Sequence, residues 1–101
     1  MTDQLMDLVD KFIEAWLIFD LQLREKQGLN ETLLAEQIAL LKKIKLGFEG
    51  EASIPKKLAE IFLDMWGAMA SCAVIYEGDM PEKITMAADH LTHYARDICT
   101  S

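Results

Sequence analysis

Cysteine is scarce in this chain: Cys72 and Cys99 are the only two among 101 residues. Their separation fits neither the close spacing of metal-binding cysteines nor a framework of disulfide pairs. Residues 1–4 include no basic side chain, so we expect no secretory signal peptide. These features together predict a reducing cytoplasm as the compartment.

Basic residues are scarce as well. The chain has 10 lysines and arginines against 17 aspartates and glutamates, which gives a formal net charge of -7. This balance disfavours nucleic acid and anionic membrane surfaces as partners. It is compatible with a basic protein partner, but ordinary solubility is the favoured interpretation. The longest apolar stretch, residues 61–76, is interrupted by Asp64 and Ser71 and is too short to span a bilayer.

Apolar residues are abundant, at 51% of the chain, and they recur with helical periodicity. Turn-forming residues cluster at 28–30, 47–55 and 78–81 and divide the periodic segments from one another. The pattern predicts helices over about residues 3–27, 31–46, 54–77 and 80–98. Because the connections are short and no repeat or long linker interrupts them, we predict one all-α domain over residues 1–101, an antiparallel four-helix bundle.

Several residues at the predicted boundaries have the chemistry of helix ends. Asn30 is a good N-cap for the second helix, and Gly47 is expected to stop it. Pro55 suits the first turn of the third helix. Asp79 followed by Glu82 resembles a capping box at the start of the fourth helix.

The first helix loses its polar face in its second half. Asp10 and Glu14 mark the side opposite the apolar stripe, but Leu17, Ile18 and Leu21 project at similar angles further along. We call these three residues the Leu17 patch. We interpret it as an exposed protein interface, and the competing interpretation is local cover by the connection between the second and third helices. Burying the patch would contribute on the order of several kcal/mol, enough to hold a well-fitting dimer.

The third helix is apolar almost all round between residues 61 and 76, which predicts burial on most sides. Glu60, Asp64, Gly67 and Ser71 form one narrow strip of polar and small side chains along it. The small residues would allow neighbouring helices to approach closely. The methionines of this helix lie at the angles of core residues.

Gln37 lies in the middle of the apolar inner face of the second helix. A buried amide is destabilising unless its hydrogen bonds are made, so we expect a bond between helices or a boundary position. The alternative is that this face lined a polar site.

The two histidines, His90 and His93, share a face of the fourth helix with Asp89 nearby. The spacing is compatible with a surface metal site, but no third ligand is evident and a solvated helix face is the favoured interpretation. No nucleophile has a credible base. The sequence therefore predicts no catalytic residue, no metal ligand set and no cofactor.

Two segments resemble a known enzyme family. This chain has EQIALL at residues 36–41 and KLAE at residues 57–60. In order and spacing they resemble the Glu-Glu-x-x-Glu-Leu and Glu-Leu-x-Asp segments of the MazG-like all-α nucleoside triphosphate pyrophosphohydrolases. In that family the acidic residues of these segments hold magnesium. Residues 81–97 resemble the last helix of that family. The resemblance implies a helical bundle that commonly self-associates. At the four carboxylate positions this chain has Gln37, Leu40, Lys57 and Glu60, which implies a degenerate magnesium site.

Two functional hypotheses follow. The first is a small non-enzymatic binding or regulatory protein of inhibitor, antitoxin or immunity type. It would act through the Leu17 patch as a homodimer, with another protein as partner, or both. The alternative is a MazG-like relative with a lost or rearranged Mg²⁺ site, in which Glu36, Glu60 and Asp64 would hold the ion.

Overall fold

Residues 3–100 are described by the structure, a computed structural model. They form four α-helices: α1 (Asp3–Arg24), α2 (Glu31–Phe48), α3 (Lys56–Ala73) and α4 (Met80–Thr100). No β-strand occurs among these residues. The predicted four-helix bundle is therefore confirmed.

Successive helices alternate in direction, and the two hairpins pack side by side. Both α1 and α4 contact α2 and α3, so that α2 and α3 lie diagonally across the bundle. Gly47 near the end of α2 packs against Leu5 near the start of α1, as expected for antiparallel neighbours. Lys45 and Asp97, which form an ion pair at 3.3 Å, both lie near the C-terminal ends of their helices. This pair shows that α2 and α4 run parallel to one another.

One apolar core runs along the axis of the bundle and receives side chains from all four helices. Its burial is the main stabilising contribution to the fold, because each buried side chain of this size contributes about 1.5–3 kcal/mol. Its largest fully buried apolar members are Phe12, Phe19, Leu23, Leu41, Ile44, Phe48, Leu58, Met65, Met69, Ile84 and Leu91.

Helix α1 ends at Arg24, three residues earlier than the sequence pattern predicts. Lys26 has a left-handed backbone conformation, with φ of 60°. Its N–H donates to the carbonyl of Leu23 at 3.1 Å, and the N–H of Gln27 donates to the carbonyl of Gln22 at 2.9 Å. These two bonds form a Schellman motif, in which lysine occupies the position that glycine usually takes.

Helix α2 continues past Gly47 to Phe48, so the prediction that Gly47 stops it is wrong. The missing side chain serves packing instead: a Cβ at this position would lie 2.5 Å from Cδ1 of Leu5. In the connection that follows α2, Gly50 has a positive φ of 80°. The N-cap prediction for Asn30 is confirmed, since its side chain accepts a bond from the N–H of Leu33 at 2.9 Å.

Helix α3 ends at Ala73 rather than near residue 77. The N–H groups of Ile75 and Tyr76 donate to carbonyls only three residues earlier, at 3.2 Å each, and these tighter turns end the helix. The hydroxyl of Tyr76 then donates to the carbonyl of Leu23 at 2.9 Å and accepts from the N–H of Gly28 at 3.0 Å. Tyr76 thereby ties the end of α3 to the end of α1, and the two helices run parallel.

Candidate functional site

The Leu17 patch faces away from the bundle. Leu17 and Leu21 are each 55% exposed, and Ile18 is 46% exposed. The connection between α2 and α3 follows Gly47, which packs on Leu5 at the opposite end of α1. The alternative interpretation, that this connection covers the patch, is therefore wrong.

Helix α3 is also open on one side. It packs on α1 and α4 only, since α2 lies diagonally across the core, so its outer side has no neighbouring helix. Leu63 and Val74 are more than 80% exposed on that side, and Ile75 at its end is 42% exposed. Gly67 and Ser71 lie exposed between them. The expectation that α3 is buried on most sides is wrong for this reason.

A groove of about 660 Å³ separates α1 from the outer side of α3. Its chemistry is mixed, with apolar side chains, small residues and one charge of each sign. It is lined by Arg24 from α1 and by Leu63, Asp64, Gly67, Ala68, Ser71, Cys72 and Ile75 from α3 and the turn that follows it. We call the groove, Leu17, Leu21 and the exposed side chains Leu63, Val74 and Ile75 together the α1–α3 surface. Ile18, the third residue of the Leu17 patch, lines a groove between α1 and α2 and is not part of this surface.

One end of the groove is defined by an ion pair on α1. Nε of Arg24 donates to Oδ2 of Asp20 at 2.9 Å, and this bond raises the pKa of Arg24. Oδ1 of Asp20 is buried and has no hydrogen-bond partner among the residues that the structure describes. Burial raises the pKa of the neighbouring Cys72 thiol, with Asp20 adding to the rise and Arg24 opposing it. The thiol is therefore protonated near neutral pH and is a poor nucleophile.

The other end of the groove is acidic. Asp64 lines it, and Glu60 lies one turn earlier on the same exposed side of α3. Neither carboxylate forms an ion pair within residues 3–100. Lys57, one turn before Glu60, forms an ion pair with Asp10 of α1.

The acids proposed for a rearranged magnesium site do not come together. Glu36 lines a separate groove between α1 and α2, together with Lys11 and Ile18. Glu60 and Asp64 lie on α3, which has no contact with α2. In the part of the chain that the structure describes, no group of three or more His, Cys, Asp or Glu side chains is placed to hold a metal ion.

Gln37 is fully buried, so the expectation of a boundary position is wrong. Its Nε2 donates to the carbonyl of Leu33 in its own helix, at a long 3.4 Å, and its Oε1 has no hydrogen-bond partner in the described part of the chain. The expected hydrogen bond between helices is also absent from residues 3–100. The amide does not line the α1–α3 groove.

The polar face of α4 has no metal-site geometry among the described residues. Oδ1 of Asp89 accepts a bond from the indole Nε1 of Trp66 at 2.8 Å. His93 lies 3.5 Å from Asp97, with its side chain 69% exposed, and the ring of His90 stacks near Tyr94. Asp89, His90 and His93 are all exposed, as the solvated-face interpretation expects.

Two parts of the α1–α3 surface were not identified from sequence. The exposure of Leu63 and Val74 could not be predicted, because residues 61–76 are apolar on almost every side of the helix. The pattern therefore does not show which side a neighbouring helix covers. The Asp20 and Arg24 pair has the i, i+4 spacing of many helix ion pairs, so that spacing alone gave no reason to single it out.

The described helices include none that is long and apolar enough to cross a membrane. The predicted resemblance to the MazG-like family stays a prediction, because comparison with known proteins yields no relative on which to test it. No family model matches the chain, and neither a curated protein nor a solved structure is significantly similar to it.

Proposed function

We propose that this chain is a non-enzymatic binding or regulatory protein, of inhibitor, antitoxin or immunity type, that acts through the α1–α3 surface. The observation that carries the proposal is the exposure of large apolar side chains on two adjacent helices. Leu17 and Leu21 supply two of them on α1, and Leu63, Val74 and Ile75 supply three more on α3 and the turn that follows it. Large exposed apolar side chains gathered on one side of a protein are typical of a protein interface.

The energetics support association of moderate strength. Burying the exposed parts of these five side chains contributes on the order of 5–10 kcal/mol. The loss of translational and rotational freedom opposes association by about 4–15 kcal/mol. Apolar burial alone therefore does not give tight binding. Good packing in the groove and pairing of its two charged ends would supply the remainder.

The chemistry of the chain supports a protein partner in the cytoplasm. The net charge of -7 disfavours nucleic acid and anionic lipid as partners. Cys72 and Cys99 are both free thiols, one buried and one exposed, as suits a reducing compartment. Burial raises the pKa of each thiol, which disfavours a nucleophilic role.

The proposal is tested by comparing two variants in which an exposed apolar residue is replaced by aspartate. Leu63→Asp places a charge in the α1–α3 surface, and Met86→Asp places one on α4, where Met86 is 64% exposed. We expect Leu63→Asp to abolish association, measured as molar mass by light scattering over a concentration series, and Met86→Asp to leave it unchanged. Circular dichroism verifies that both variants fold. Where the wild-type chain associates, equal association of the two variants would contradict the proposal.

A further inference from the structure

The α1–α3 groove has opposite charges at its two ends. Arg24 lines the groove together with Cys72, and it follows Leu23, whose carbonyl accepts a bond from the hydroxyl of Tyr76 just past the end of α3. Asp64 lies eight residues before Cys72, about 12 Å away along the helix axis. Glu60 extends the acidic end by one further turn. A positive and a negative end are thus separated along a groove only a few turns long.

Both charges can accept another partner. The only hydrogen bond from the Arg24 side chain within residues 3–100 is from Nε to Asp20, and a guanidinium has five N–H donors. Its two terminal nitrogens can therefore bind a second carboxylate. Asp64 forms no ion pair within the described part of the chain, and it is exposed.

On the α1–α3 surface, the side chain of Leu63 protrudes beside the groove. Leu63 is 85% exposed, the most of any large apolar side chain described. The groove beside it is lined by Gly67, Ala68 and Ser71, all small. A Cβ added to Gly67 would meet nothing within 4 Å, so the space above this glycine is open.

A surface whose two ends complement each other fits a second copy of itself across a two-fold axis. Resting on the function proposed above, we propose that the occupant of the groove is a second copy of this chain. The two α3 helices run antiparallel, crossing near Gly67 and Ser71. In this arrangement Arg24 of each copy pairs with Asp64 of the other, and Leu63 of each copy packs into the groove of the other.

The dimensions of the surface set the strength of this dimer. Helix α3 has 18 residues and is therefore about 27 Å long. Two adjacent helices are about 20 Å wide, which gives roughly 500 Å² in projection on each copy. Stable interfaces of standard size bury about 800 Å² on each partner. We therefore expect a dissociation constant in the micromolar range.

A charge-exchange experiment tests this arrangement. Arg24→Glu makes both intermolecular pairs repulsive in the homodimer, and so does Asp64→Arg. When the two variants are mixed, the introduced glutamate of one copy faces the introduced arginine of the other. The second pair then joins the unchanged Asp64 and Arg24, so both pairs become attractive again. We expect each variant alone to associate about tenfold or more weakly than the wild type, and the mixture to form heterodimers within about threefold of wild-type affinity.

Lys11→Glu is the matched control for Arg24→Glu. Lys11 also pairs with an aspartate four residues earlier, Asp7, at 3.0 Å. It lines the α1–α2 groove instead. The control therefore reproduces the loss of a helix ion pair and the same change in net charge, and we expect wild-type self-association from it. Sedimentation velocity gives the affinities, and thermal melts verify that all variants are folded.

Each outcome bears on the arrangement separately from the proposed function. Variants that stay monomeric when mixed overturn the antiparallel pairing, and so does undiminished self-association of either variant alone. If this happens while Leu63→Asp still abolishes association, the exposed side of α3 takes part in the interface and the antiparallel docking geometry is wrong. A wild-type chain that is monomeric throughout overturns the second copy as occupant.

Discussion

Replacement of Gln37 by methionine is expected to stabilise the fold. Gln37 is fully buried, and its Nε2 makes one bond of 3.4 Å to the carbonyl of Leu33. Its Oε1 has no hydrogen-bond partner among residues 3–100. Methionine has a similar length and shape but no amide to satisfy. The substitution therefore removes an unpaired buried acceptor without creating a cavity.

The magnitude follows from two opposing contributions. Removing an unsatisfied buried polar group recovers about 1–3 kcal/mol of the free energy of unfolding. Losing the long hydrogen bond to Leu33 lowers the free energy of unfolding by at most about 1 kcal/mol. We expect Gln37→Met to raise the free energy of unfolding by about 1–2 kcal/mol. For a domain of this size, that is an increase in melting temperature of about 4–16 °C.

Urea denaturation at one fixed protein concentration measures this change, with an unchanged m-value as evidence that the unfolded state is unaffected. Gln22→Met is the control, because the Oε1 of Gln22 accepts a bond from the side chain of Asn30 at 3.0 Å. The control should lose about 0.5–1.5 kcal/mol. A Gln37→Met variant that is destabilised by about 1 kcal/mol or more would refute the reasoning, because the amide would then have a partner that it loses.

Three further substitutions test local features of the fold by thermal and urea unfolding. Lys26→Gly relieves the left-handed backbone at the end of α1 and should stabilise by about 1 kcal/mol, and a loss of stability would contradict the assigned motif. Tyr76→Phe leaves the N–H of Gly28 unpaired, removes one of the two bonds to the carbonyl of Leu23, and should destabilise by about 1–3 kcal/mol. Tyr94→Phe, whose hydroxyl has no hydrogen bond among the described residues, should change stability little. Gly47→Ala forces Leu5 to move and should destabilise by about 1 kcal/mol, while Gly67→Ala, with open space around it, should stabilise by about 0.5–1 kcal/mol; equal effects would refute the close packing at Gly47.

The sequence was informative about helices and their caps because these are local properties. The periodicity of apolar residues follows from the 3.6-residue turn, and Asn30 caps α2 through a bond to a residue three positions away. Helix ends that depend on tertiary contacts were less predictable. The early end of α3 accompanies the bonds of Tyr76 to the distant Leu23 and Gly28.

The candidate site was predictable only in part. The exposure of the Leu17 patch followed from the polar angles set by Asp10 and Glu14 earlier in α1. The open side of α3 did not follow, because it depends on the order of the helices around the bundle. That order places α2 diagonally to α3, and it also separates Glu36 from Asp64.

Self-association through the α1–α3 surface is the central claim, and sedimentation equilibrium of the wild-type chain tests it most directly. We expect the mass of a single chain, 11.4 kDa, near about 1 μM and twice that mass as the concentration approaches about 1 mM. A mass that stays at 11.4 kDa over the whole range would contradict the claim.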